Sequence, residues 1–318
     1  FDIVPTNTID YKYNDFVFAR LLDSQARVLN FLQDQKTAVI NGAAGTGKTL
    51  IAIERAKQAA RTGKVLFLCF NSLLKDDVAR RCKDVPEIDV YTIPGYACKV
   101  GNSLEPNYVA LTERLMEHPE SFPYNHVVID EGQDFGLKAI EDAMVLETLR
   151  DIVESRQEST MYLFYDKRQF VQGSTMPGFL MDADCKLTLY VNCRNTEPIS
   201  KSSLSAIREI GNSRLRTLSR WKSQKVPVHT VRRFKGMEAA AVILVDVDQT
   251  LWELPSISYE PEPGTLFYTA ASRAKYELRI VCDMDADACN QTLVLMGEKT
   301  NKRPDKKLAN VLGASLVR

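Results

Sequence analysis

The stretch AVINGAAGTGKTL, residues 38–50, decides the fold. Ala38, Val39 and Ile40 form an apolar run that reads as a buried strand. Gly42, Ala43, Ala44, Gly45, Thr46, Gly47, Lys48 and Thr49 then satisfy the phosphate-loop pattern G-x-x-x-x-G-K-[ST], and a helical pattern follows over 50–60. Strand, loop and helix in this order are what phosphate binding needs. Small residues let successive backbone N–H groups curl round an anion, and the next helix aims its positive end at it. In this pattern Lys48 is a point charge for the terminal phosphates, and the Thr49 hydroxyl is a ligand for Mg²⁺. A triphosphate held with Mg²⁺ is therefore expected.

Working outward, the chain alternates. Ahead of the loop, Asp23 or Ser24 can cap a helix with apolar positions at helical spacing. After it come strands at Val65–Cys69, 88–91, His126–Ile129 and 161–164, separated by helical patterns at 72–83, 109–117 and 137–154. Strands alternating with helices predict an α/β fold with a parallel, doubly wound sheet. A breaker-rich loop at 172–178 precedes a second alternation: strand 187–191, helix 197–210, strands 241–245 and 277–281, and a helix at 286–296. The expected organisation is two α/β domains, 1–182 and 183–318. The polar, basic stretch 298–307 reads as a surface linker to a last short helix.

Composition sets the outer bounds. With 318 residues, 45% hydrophobic and 26% charged, the chain has the make-up of a soluble globular protein. It contains no run of about 18 apolar residues and no charged-then-apolar leader, so membrane insertion and secretion are not expected and the cytoplasm is. It begins at Phe1 rather than Met, as a fragment or processed chain does. Seven scattered cysteines without a C-x-x-C pair argue against a disulfide framework or a zinc site, and fit buried thiols in a reducing compartment. With only three histidines, chemistry built on imidazole is not expected.

The 41 basic and 41 acidic residues cancel, but not locally: between Lys201 and Lys235 stand ten Lys or Arg against one acid, Glu209. Such a stripe is either a footprint for a phosphate backbone or a solvated basic face. The strand at 126–129 ends in Asp130-Glu131-Gly132-Gln133-Asp134, which puts carboxylates where open α/β sheets place their ligands. Phosphoryl transfer to water needs one carboxylate to hold Mg²⁺ and another group to orient and deprotonate the water. Asp130 suits the first role and Glu131 the second.

These motifs, in this order, resemble superfamily 1 helicases of the UvrD/Rep/PcrA type, over roughly residues 23–281. The resemblance implies two RecA-like P-loop NTPase domains and a nucleic-acid-dependent ATPase, with ATP as the triphosphate. Under it Gln25 reads adenine. Asn71 in LFLCFNSLLKDDVARR (66–81) and Thr92 touch a strand backbone, and Gln133 links nucleotide and strand elements. Asp166 and Gln169 in YLFYDKRQFVQG (162–173) organise the loop and sense the terminal phosphate. Arg194 in LYVNCRNT (189–196) and Arg273 in TLFYTAASRAKYELRIV (265–281) are arginine fingers. In VHTVRRFKGMEAAAVILV (228–245), Thr230 and Lys235 contact the strand or loop, and Glu238 the nucleotide sugar. The implied partner is single-stranded nucleic acid, DNA favoured, with a partner protein or fused nuclease as the alternative load.

The chain also departs from the family. Tyr165 stands where a glycine is usual, and the residues after Gln169 lack the aromatic that stacks on a base, unless Phe170 or Trp221 replaces it. The spacings from Asn71 to Asp130 and from Arg194 to Lys235 leave no room for large accessory domains.

Overall fold

The structure, a computed structural model, describes residues 23–135, 140–167, 183, 185–190, 230–253, 264–282 and 284–315. The chain divides into two compact units. The described residues of one lie within 23–167 and 183–190, and those of the other within 230–315.

The first unit is a six-stranded, wholly parallel sheet in the order β3-β2-β4-β5-β1-β6, where β1 is Thr37–Gly42, β2 Val65–Cys69, β3 Ile88–Thr92, β4 His126–Ile129, β5 Thr160–Tyr165 and β6 Cys185–Leu189. Every residue of β1, β2 and β4 is buried. Such strands read as near-continuous apolar runs because helices cover both faces of a parallel sheet. Alternate side chains, among them Ile40, Phe67, Val128, Tyr162 and Phe164, pack with Ile51, Ile53 and Ala56 of helix Lys48–Ala59 and with Leu29 and Leu32 of helix Asp23–Leu32. Helix Ile140–Ser155 packs against β4 and β5, burying Val145, Leu149 and Val153. The unit is thus the expected RecA-like P-loop architecture, with β5 between the phosphate-loop strand and the Asp130 strand.

Two local readings change. Cys185–Leu189 does not open the second unit: it pairs with β1 in parallel, Ile40 opposite Leu187 and Gly42 opposite Leu189, so the first unit extends past 182. The breaker-rich loop at 172–178, which suggested a boundary, lies outside the described residues. The second change is a helix at Ile93–Gly101, a span that the sequence reading leaves unassigned. Pro94 occupies the first turn, where its missing N–H costs nothing, and the Thr92 hydroxyl accepts from Gly95 N at 3.1 Å to cap the helix.

In the second unit, β7 (Ala239–Val247) and β8 (Ala274–Cys282) pair in parallel around the wholly buried helix Thr265–Ala271. Trp252, Phe267, Leu278, Leu293, Leu308 and Leu312 form its core. The expected strands 241–245 and 277–281 are the centres of β7 and β8. The expected helix at 286–296 is Ala286–Leu295, and the polar stretch after it leads into helix Pro304–Val311. The expected helix at 197–210 and nearly all of the basic stripe lie outside the described residues.

At the amino end of β4, buried His126 bridges two hydroxyls, Thr62 Oγ1 at 2.9 Å and Thr160 Oγ1 at 2.9 Å. Burial, with the Arg55 charge adding to it, lowers its pKa to about 4. The unfolded chain's histidine titrates near 6.5, so between about pH 6.5 and 4 the unfolded state binds the extra proton. Stability from this residue is therefore complete above about pH 6.5 and is lost as pH falls toward 4, by at most about 1.4 kcal/mol per unit. Urea unfolding at pH 7, 6 and 5 should show wild type losing stability faster than His126→Gln; equal slopes would remove His126 from the acid response.

Candidate functional site

The site gathers at the carboxyl ends of the parallel strands. β1 ends at Gly42, and the loop after it turns through left-handed conformations at Gly45 (φ 82°) and Gly47 (φ 86°), which glycine adopts without strain. Thr46 N donates to Ala43 O at 3.2 Å, closing the curl. Lys48, buried, turns its amine back into the loop, donating to Gly42 O at 2.7 Å and Ala43 O at 3.3 Å. Gln25 donates from Nε2 to Thr46 O at 3.1 Å, tying the helix Asp23–Leu32 to the loop.

Thr49 and Asp130 meet. Thr49 Oγ1 donates to Asp130 Oδ2 at 2.6 Å, and Glu131 N donates to Asp130 Oδ1 at 3.0 Å. Asp130 is fully buried. Burial first, and the neighbouring Glu131 charge second, push its pKa up to about 6, against the Thr49 hydrogen bond and the Lys48 charge. The chain then turns sharply: Glu131 is left-handed (φ 57°), an uncommon state for a non-glycine residue and one found at strained functional positions.

That turn is pinned from β5. Gln133 donates from Nε2 to Glu131 Oε2, and its Oε1 accepts from Asp166 N at 3.1 Å. Asn41, at the end of β1, accepts from Lys167 N at 3.1 Å through its Oδ1. Asn41 and its tie to the end of β5 are absent from the sequence reading; the available signal is a polar residue at the end of a strand that is otherwise apolar. Asn71 and Thr92 follow or end β2 and β3 at the same sheet edge, and each caps a helix: Asn71 Oδ1 accepts from Leu74 N at 2.9 Å.

Among the described residues no cluster of three or more His, Cys, Asp or Glu could hold a metal. One carboxylate and one hydroxyl beside a phosphate cradle is a donor set that fits Mg²⁺, which takes few protein ligands and keeps water and phosphate oxygens as the rest. The residues present therefore fit Mg²⁺ with a nucleoside triphosphate.

In the second unit, Arg273 is buried and folds onto its own helix end, donating from Nε to Thr269 O at 2.9 Å and from Nη2 to Ser272 Oγ at 3.2 Å. Lys235 is buried, Glu238 half-buried and Thr230 exposed. Gln169 and Arg194 lie outside the described residues, as do the side chain of Asp134 and the candidate stackers Phe170 and Trp221. Of the described cysteines, all six are free thiols. Among the described residues no helix is long and apolar enough to cross a membrane.

Residues 11–112 match the family described as "Type III restriction enzyme, res subunit". No curated protein matches the chain. Among solved structures, the Pif1 helicase from Candida albicans is similar at 14% identity over 58% of this chain and 44% of that one, with a TM-score of 0.42. The DUF1998 helicase MrfA is similar at 14% identity over 94% and 54%, with a TM-score of 0.46. The Hef helicase domain of Pyrococcus furiosus is similar at 14% identity over 62% and 47%, with a TM-score of 0.37. The chain spans about half the length of these three proteins.

Gly132 carries the tightest steric demand in the site. A Cβ there would lie 2.4 Å from Leu163 Cδ2 and 2.7 Å from its Cγ, and Leu163 is only 2% exposed on β5. Gly132→Ala should therefore displace the Glu131–Gln133 turn and cost about 1–3 kcal/mol of stability, as overpacking does. Denaturant unfolding tests it: an unchanged midpoint would mean that Leu163 yields freely.

Proposed function

We propose that the chain is an ATP-hydrolysing motor of the superfamily 1 helicase type that acts on single-stranded nucleic acid, DNA favoured. The observation that carries this reading is the Thr49–Asp130 hydrogen bond with Glu131 held beside it. A hydroxyl–carboxylate pair and a second carboxylate stand at the mouth of a phosphate loop, and Gln133 ties the second carboxylate to the end of β5. The motif order from Gln25 to Arg273 and the restriction-enzyme family match over 11–112 support a nucleic-acid motor over other uses of a phosphate loop.

In this reading the loop amides and Lys48 bind the β- and γ-phosphates, while Thr49 and Asp130 hold Mg²⁺. Mg²⁺ held there would neutralise charge on the phosphate oxygens. Glu131 orients the attacking water and accepts its proton. Gln133 holds Glu131 in place through its Oε2. Gln169 reports the γ-phosphate to the strand-binding elements. Arg194 and Arg273 stabilise the charge that spreads over the transferred phosphoryl group, and Glu238 binds the ribose. Asn71, Thr92, Thr230 and Lys235 grip the strand backbone.

A second reading is an ATPase switch that gates a partner protein or a fused nuclease without unwinding. The compact connection from β3 to β4 favours it: helices Ile93–Gly101 and Tyr108–Glu117 and one short turn fill the span, without a further domain.

ATP turnover measured without strand and with single-stranded DNA, duplex DNA and RNA, at two salt concentrations, separates the two. The motor predicts strong stimulation by a single strand. Strand affinity should fall with salt at a log–log slope of about −0.7 per neutralised phosphate. Turnover indifferent to every strand favours the switch, in which Lys48→Ala abolishes partner activation. Glu131→Gln should bind ATP normally and turn it over at least about a hundredfold more slowly; near-normal turnover would refute Glu131 as the base.

A further inference from the structure

Helix Asp23–Leu32 is fastened at both ends. Near its start Gln25 bonds the phosphate loop through Thr46 O. At its finish, the phenol of Tyr162 on β5 lies 2.8 Å from Leu32 O and 2.7 Å from Gln35 O. One hydroxyl proton is shared between two carbonyls, one in the last helical turn and one just past it; Leu32 O also accepts from Gln35 N at 3.3 Å. The phenol oxygen in turn accepts from Arg55 Nη2 at 2.7 Å, and the Arg55 guanidinium carbon stands 4.6 Å from the centroid of the same ring.

Arg55 belongs to helix Lys48–Ala59 and is 6% exposed; Tyr162 is fully buried. Among the described residues no carboxylate pairs with Arg55, and its Nε is buried without a hydrogen-bond partner. A buried cation without a counter-ion is costly, and an apolar residue of the same length would fill the space with no such penalty. What the cation does touch is specific. Through Tyr162 it faces the carbonyl end of helix Asp23–Leu32, where the helix dipole is negative. Arg55 and Tyr162 thereby join the three elements that carry Lys48 and Thr49, the approach to Asp166, and Gln25.

We infer that Tyr162 and Arg55 are positioning residues for nucleotide recognition, seating the Gln25 helix against the phosphate loop and so setting affinity for the nucleotide and the choice of its base. The inference rests on the reading of residues 42–49 as an ATP site with Gln25 at the base. Neither residue touches the nucleotide: both act through the backbone of 32–35 and the helix ahead of it. Removal of the phenol takes this donor from Gln35 O and leaves Leu32 O with the Gln35 amide at 3.3 Å, which lets the helix end shift or fray, so that Gln25 no longer meets the loop at a fixed distance.

The test is binding of N-methylanthraniloyl ATP and GTP to wild type, Lys48→Ala, Gln25→Ala, Tyr162→Phe, Arg55→Met and the double variant Gln25→Ala/Tyr162→Phe. Tyr162→Phe should weaken ATP binding by about five- to tenfold, the size of one net hydrogen bond, and erode the preference for ATP over GTP as Gln25→Ala does. The double variant should bind within about twofold of Gln25→Ala alone, because both changes act through one contact. Hydrogen exchange of residues 23–32 should quicken in Tyr162→Phe and in Arg55→Met. This gives a second readout should Arg55→Met bind poorly through loss of folding. Tyr162→Phe with wild-type affinity and base preference, or effects that multiply fully with Gln25→Ala, would overturn the inference. Wild type that binds neither nucleotide, or binds them independently of Lys48, would instead overturn the ATP-site reading.

Discussion

The hydrogen bond from Thr49 to Asp130, 2.6 Å long, is the point on which the first unit converges. Its two ends come from residues far apart in sequence, and they meet only if β1 and β4 stand one strand apart in register. The parallel pairing β1-β5-β4 supplies that register: Ile40 opposite Phe164 and Ile129 opposite Leu163 bring the two strand ends to the same edge. A one-residue slip would turn every side chain of a strand to the opposite face, which two-sided burial forbids. The apolar sheet thus does chemical service, as the ruler that fixes a hydroxyl against a carboxylate.

Around that contact the polar groups form a closed chain of dependence. Asp130 is fully buried, and both of its oxygens are engaged, one by Thr49 and one by the Glu131 amide. The Glu131 backbone reaches its left-handed state because Gly132 can lie against Leu163 and because Gln133 spans from Glu131 to Asp166. The raised pKa of Asp130 comes first from its burial at a dry sheet edge and second from the neighbouring Glu131 charge.

The sequence made the apolar strands and the phosphate loop legible because their signals are local: a hydrophobic run, a spacing of glycines, a Lys-Thr at a helix start. Asp130 and Glu131 were legible because they follow such a strand directly. Ile93–Gly101 was not, since Pro94 and Gly95 carry the same letters in a first helical turn as in a breaker, and only the Thr92 cap tells them apart. The membership of Cys185–Leu189 in the first sheet was hidden for another reason. Which edge a strand joins is a long-range choice, and its half-buried alternation fits an edge strand of either unit. Gly132 reads as a turn residue, while its actual constraint, the approach of Leu163 from β5, involves a residue 31 positions away (163 − 132).

Arg55 shows what remains when these local signals are exhausted. In the sequence it is one basic residue in a helix, and a surface salt bridge is the ordinary expectation for it. In the fold it is buried against Tyr162 without a carboxylate. A desolvated cation–π contact contributes about 2 kcal/mol, less than the several kcal/mol that burying a charge costs. The hydrogen bond to the Tyr162 phenol and the negative end of helix Asp23–Leu32 offset part of the rest. Local stability alone would favour a leucine or methionine at this position. A charge that directs two backbone carbonyls through one phenol does what neither can: it fixes the angle of a helix whose other end touches the phosphate loop.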